Sequence, residues 1–146
     1  MEFLTCVVAA EEDEYPDIAQ SNSPLNEWSG IESPGLDTTK IATLHSLLTG
    51  DPLQLALDLY EPVFVAEGDD ETLVLRIEAE LFEELTLLDE ESLENVVSEL
   101  MATEIYEQDG SDPEEVMAFL TSLVDLAQLA ESQGQALFVW IKLLQD

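Results

Sequence analysis

The chain contains one histidine, His45, and one cysteine, Cys6, so nucleophilic chemistry would have to draw on these two. Such a pair works only if the fold brings the imidazole to the thiol, because the ring must take the proton that frees the nucleophile. His45 follows Ile41 by about one helical turn and adjoins Leu44. That spacing sets it at the border of an apolar helix face, where a histidine that satisfies backbone carbonyls is a plainer reading than a general base. Cys6 sits between Thr5 and Val7 and reads as a small buried strand residue. His45 is therefore the one candidate catalytic residue. The enzyme it would serve, a small hydrolase using His45 with nearby carboxylates, requires an open concave pocket with a carboxylate in hydrogen-bond reach.

Metal chemistry is read mainly from the carboxylates. A structural zinc site usually takes four N or S ligands, and one histidine with one cysteine falls short. Glu67, Asp69, Asp70 and Glu71, or Asp109 with Asp112, offer oxygens to calcium. Neither stretch has the alternating ligands, central Gly and terminal Glu of a calcium loop. They read instead as an acidic hairpin turn and as a turn followed by a helix cap, Asp112 with Glu115. No metal residues and no cofactor are assigned. A phosphate-binding Gly-rich loop is absent from the sequence, and only Lys40, Arg76 and Lys142 could fix an anionic substrate.

The residues able to bind something else are the acids. The chain has 146 residues, with 34 Asp and Glu against 3 Lys and Arg and a formal net charge of -31. Such a balance repels polyanions and anionic membranes and attracts cationic proteins. Between Glu78 and Glu107 there are eleven acidic residues and no Lys or Arg. A helix rises about 1.5 Å per residue and duplex DNA carries one charge per ~1.7 Å, so acidic helix faces can imitate a phosphate track. Glu78, Glu80, Glu83, Glu84, Glu90, Glu91 and Glu94 are the candidate binding residues. The partner expected is a basic protein, such as a nuclease, toxin or DNA-binding protein, and neither nucleic acid nor membrane directly. A salt-adapted housekeeping domain with no acidic binding face accounts for the same composition.

These residues must be positioned by a folded core. The chain is 46% hydrophobic, enough to outweigh the self-repulsion of its charge, and its length predicts a single domain over 1–146. Residues 3–9 read as a first strand, too short to span a membrane and without the basic start of a secretory signal, which suggests a cytoplasmic protein. From Tyr15 to Gly35, Pro16, Pro24, Pro34, Gly30 and Gly35 predict an irregular loop, with Trp28 as a plug into the core or an exposed anchor. A helix is expected from Thr38 to Leu48, capped by Asp37 or Thr38 and ended by Gly50. Asp51 with Pro52 then starts a shorter one, and Asp112 with Pro113 repeats that device. Segments 61–66 and 72–77 predict a hairpin whose second strand is half-buried. Helix follows over 78–101, broken near Asp89, and again over 113–133 up to Gly134. Ala136 to Ile141 is an unbroken apolar run, as in a strand covered on both faces.

Leu36 and Asp37, Leu44 and His45, then Leu48, Thr49 and Gly50 resemble the Leu-Asp…Leu-His-x-x-Leu-Thr-Gly signature of the bacterial YfbM-like domain of unknown function. Pro52 and Leu53, the Ile105–Tyr106 pair after Glu104, and Gly134 with Ala136, Leu137 and Val139 agree in order. The similarity covers roughly residues 36–141. Ile41 and Glu107 stand where the family pattern has Trp and Pro. The resemblance implies an α+β fold and a small soluble bacterial protein, and it supplies no catalytic residues. The association of some relatives with toxin immunity adds an inhibitor or immunity role as an expectation. The sequence as a whole predicts a non-enzymatic interaction domain of α+β class: a small mixed sheet with strands near both termini and four to five helices packed on it.

Overall fold

The computed structural model describes residues 2–21, 24–33, 36–66, 71–110 and 112–144. The chain opens with strand β1 (Glu2–Ala10), then two short helices, α1 (Tyr15–Gln20) and α2 (Pro24–Glu27), and strand β2 (Ser29–Glu32). This is a correction to the irregular loop expected over 15–35. Pro16 lies in the first turn of α1 and Pro24 opens α2, positions where the missing N–H costs nothing. Gly30 belongs to β2, because a Cβ there would lie 2.5 Å from the carbonyl oxygen of Val7. Trp28 is the plug: it packs on the apolar cluster formed by β1 and β5, and its indole N–H donates to Glu14 at 3.0 Å.

Helix α3 (Thr38–Thr49) is capped by Asp37, which accepts from the Lys40 amide at 2.9 Å, and is ended by Gly50 at φ 84°, where a left-handed backbone favours glycine. Then come α4 (Leu53–Leu59) and the hairpin of β3 (Phe64–Ala66) with β4 (Glu71–Arg76). Helix α5 (Ala79–Leu87) is separated from α6 (Glu90–Met101) at Asp89, whose carboxylate caps α6 through the Ser92 amide at 2.8 Å. After α7 (Glu104–Asp109), the long α8 (Pro113–Gln133) starts at the Asp112 cap, stops at Gly134, and leads into β5 (Ala136–Leu144). Of the calcium candidates, Glu67, Asp69 and Asp70 lie outside the described residues, and Asp112 is a cap.

The α+β class holds, with two corrections. Eight helices, not four or five, occur among the described residues, because the 15–35 segment and the stretch after Met101 add short ones. The sheet, ordered β2-β1-β5-β4-β3, is antiparallel at every pairing and not mixed. The excursion through α5 to α8 leaves and re-enters at the same end of the sheet, as the bond from the Ile77 amide to the Leu137 carbonyl shows, and so returns the chain antiparallel.

β5 is central and buried on both faces, as its apolar run predicts. Leu137, Val139 and Ile141 enter a large core with α3, α5, α6 and α8. Phe138 and Trp140 enter a smaller one with Ile18 and Ala19 of α1. β4 departs from a half-buried strand, since Val74 is fully buried under α1.

Candidate functional site

The two residues able to do nucleophilic chemistry do not meet. Cys6 faces the smaller core, on the opposite side of the sheet from the core that holds α3. Burial, and then the negative charge of Glu32, push its thiol pKa up, so it is held as an unreactive thiol.

His45 is 0% exposed and lies on the inner side of α3. Its Nδ1 is 2.9 Å from the Tyr60 hydroxyl and its Nε2 is 2.9 Å from Asp51 Oδ2. The Glu78 amide donates to the Tyr60 oxygen at 3.3 Å. All donors are satisfied if Tyr60 O–H donates to Nδ1 and Nε2–H donates to Asp51. Burial, the largest influence, pushes the Tyr60 phenol well above its ordinary pKa, which keeps it a neutral donor. The chain around Asp51 is fixed by three further bonds: Ser46 Oγ to the Asp51 carbonyl at 2.6 Å, the Asp51 amide to Thr49 Oγ1 at 3.2 Å, and Thr49 Oγ1 to the His45 carbonyl at 2.8 Å.

Asp51 was expected to cap α4 and does not. The N-cap position belongs to Pro52, which has no side chain to bond the free amides, while the carboxylate turns back to His45. A cap typically contributes about 1 kcal/mol, so local helix chemistry gives way here to the histidine. Glu80, exposed on α5, completes the group: one ligand atom each from His45, Asp51 and Glu80 lies within 4.8 Å of the others. His45 lines neither the cavity between β2, α3, α7 and α8 nor the one beside Leu47 and Leu53. A carboxylate is within hydrogen-bond reach of His45, while the ring itself is fully buried.

The acidic helices present a different arrangement. On α5, Glu80, Glu83 and Leu87 lie on the side away from the buried Leu81 and Leu85, with Glu84 at its border. On α6, Glu90, Glu91 and Glu94 are all exposed, while Leu93, Val96, Val97 and Leu100 are buried. Glu78 and Glu84 are half-buried. Leu87 is 73% exposed among these acids. The chain's few cations lie elsewhere: Lys40 is buried with its ammonium 5.5 Å from the centre of the Tyr106 ring, and Arg76 pairs with Glu12. Lys40 borders the larger cavity, about 660 Å³ between β2, α3, α7 and α8, where Ser33 also lies.

No protein-family profile matches the chain, and no curated protein does. Its structure is similar to the crystal structure of YfbM from Escherichia coli, a protein of unknown function. The two are 16% identical with a TM-score of 0.43, over 97% of this chain and 99% of that one. The match brings no activity with it. Among the described residues, no helix is long and apolar enough to cross a membrane.

The sequence sets His45 at the border of an apolar face with backbone carbonyls as partners; the ring is instead fully buried and bonds the side chains of Tyr60 and Asp51, a grouping that sequence reasoning missed. Its one sequence signal is the closeness of Asp51 to His45 across Gly50, and Asp-Pro reads so readily as a helix start that this pairing is hidden. Tyr60 and Glu80 come from separate elements and join only through packing.

Proposed function

We propose that the chain is a protein-interaction domain that holds a basic partner against the carboxylates of α5 and α6, in the manner of a DNA mimic, and so acts as an inhibitor or immunity protein. The observation that carries this reading is the pairing of uncompensated glutamates with an exposed Leu87 on helices whose opposite sides are core. An apolar side chain inside a charged field gives a partner something to bury, while the charge speeds and orients its approach. The enzyme reading loses its support, because the His45 ring is enclosed.

The test uses an arginine-rich helical peptide as probe, followed by fluorescence anisotropy. Glu90, Glu91 and Glu94, all changed to Lys, should weaken binding by about tenfold or more, with circular dichroism confirming that the helices persist. A matched triple, Asp58, Glu61 and Glu131 to Lys, removes the same charge from other exposed positions and should matter much less. Equal losses from both triples would mean that only net charge is felt, which is the behaviour of a salt-adapted domain without a binding face.

A further inference from the structure

We propose that His45, Asp51 and Glu80 form a binding site for a divalent first-row transition-metal cation, with Tyr60 as the residue that positions the imidazole from behind. The site shares Glu80 with the acidic face of α5, but it is read at His45 and does not rest on the capture of a basic partner.

The donor set suits such an ion. One imidazole nitrogen with two carboxylates favours a borderline cation such as Zn²⁺ over the all-oxygen preference of Mg²⁺ and Ca²⁺. Donors about 2.0–2.1 Å from a tetrahedral zinc stand ~3.3 Å apart, so the 2.9 Å between His45 Nε2 and Asp51 Oδ2, now bridged by a proton, would have to open by a few tenths of an ångström to admit the ion. Burial is graded along the path an ion would take, with His45 enclosed, Asp51 half-buried and Glu80 exposed. Three protein ligands leave room for water in the remaining positions.

The surroundings hold the two inner ligands still. A metal-bound histidine is commonly oriented by a partner on its other ring nitrogen, and Tyr60 occupies that place on Nδ1. Asp51 is fixed through its backbone by Ser46 and Thr49. The net charge of -31 concentrates cations around the whole molecule. Among the described residues, His45 is what sets this group apart from the many exposed carboxylates.

Binding at Nε2 requires its lone pair. The imidazole remains neutral: the proton on Nε2 is given up, Nδ1 takes one, and the new Nδ1–H donates to the Tyr60 oxygen, which keeps its own hydrogen and still accepts the Glu78 amide. The metal thus exchanges one tautomer for the other with no net proton release from the ring.

Because His45 is the only histidine, ¹⁵N NMR of the full chain reads the site without ambiguity. The probe is one equivalent of Zn²⁺, with millimolar Mg²⁺ present to occupy exposed carboxylates. The expected result is a switch of the imidazole from Nε2–H to Nδ1–H, with a large shift of Nε2. Glu80→Gln, at an exposed position, should fold normally and weaken Zn²⁺ by at least about tenfold. Tyr60→Phe should weaken it by about the same factor while the bound imidazole signal persists, the mark of a positioning residue. Imidazole nitrogens that do not move when Zn²⁺ is added to the unaltered chain would overturn the site, whether or not zinc binds elsewhere, and unchanged affinity in Glu80→Gln would remove the third ligand.

Discussion

The surroundings of His45 and the outer faces of α5 and α6 put the same functional group, a carboxylate, to opposite uses. Asp51 is held by an enclosed imidazole and by backbone bonds on both of its flanks. Glu83 on α5 and Glu90, Glu91 and Glu94 on α6 face solvent, in a stretch of chain with no Lys or Arg. In a protein with 34 acids, number therefore says little about what any one of them does. Partners and burial decide it. A tied carboxylate contributes stability that is lost if it is removed, whereas an untied one repels its neighbours and is available to another molecule.

The His45 side of this contrast should break most visibly. His45→Ala leaves a cavity in α3 and strands both the Tyr60 hydroxyl and Asp51, so a loss of about 3 kcal/mol is expected in urea denaturation. A loss below about 1 kcal/mol would show that the network is not a structural unit. Tyr60→Phe is smaller, since only one oxygen goes, but it leaves His45 Nδ1 and the Glu78 amide without a partner. About 1–2 kcal/mol is expected, again from urea denaturation. Tyr60→Phe and the wild type matching in stability would mean that water replaces the hydroxyl without loss.

The long elements were legible in the sequence because a single rule governs each. Val116, Leu120, Leu123 and Ala127 repeat at the helical period over α8, and Ala136–Ile141 needs only its unbroken apolar character to become the central strand. Legibility failed where a residue type has two meanings. Pro16 and Pro24 can break a helix or begin one, and only packing of Ile18 and Ala19 against the sheet decides for α1. Val74 alternates with apolar neighbours like a solvent-facing residue, yet α1 covers it. Asp51 has a local role as a cap and a tertiary one at His45, and the tertiary one wins. On the acidic helices, spacing sets Leu87 on the glutamate side of α5, and only its apolar type, which reads as core, hid its exposure.

Asp89 lies between the two classes. Its position is open to solvent, yet its carboxylate caps α6, and hydrogen bonding to the Ser92 amide holds its pKa below the ordinary carboxylate value. A group whose folded pKa is lowered contributes stability that is present above its unfolded value, about 3.9, and is lost as pH falls through the folded one. Asp89→Ala should therefore lower the urea midpoint near neutral pH and flatten the acid limb of the stability curve. An acid limb with the same slope in both proteins would show that the cap carries no charge-dependent stability.

The smallest effect should have the opposite sign. Glu84 lies in the last turn of α5, near the negative end of its dipole, and Glu83 at the middle of the helix, with Glu80 three and four residues before them. Neither the dipole nor Glu80 favours their charge, so Glu83→Gln with Glu84→Gln should stabilise the fold by about 0.5 kcal/mol. Glu90 and Glu91 would not serve, because they occupy the first turn of α6, where the dipole favours them and neutralisation would cancel its own gain. Salt separates the causes: raising it screens repulsion between exposed charges, so the melting temperature of the native chain should climb with salt and that of the double variant should climb less. A double variant less stable than the native chain would mean that these glutamates are tied after all. The division between held and available carboxylates would then fail on α5, where the proposed binding depends on it.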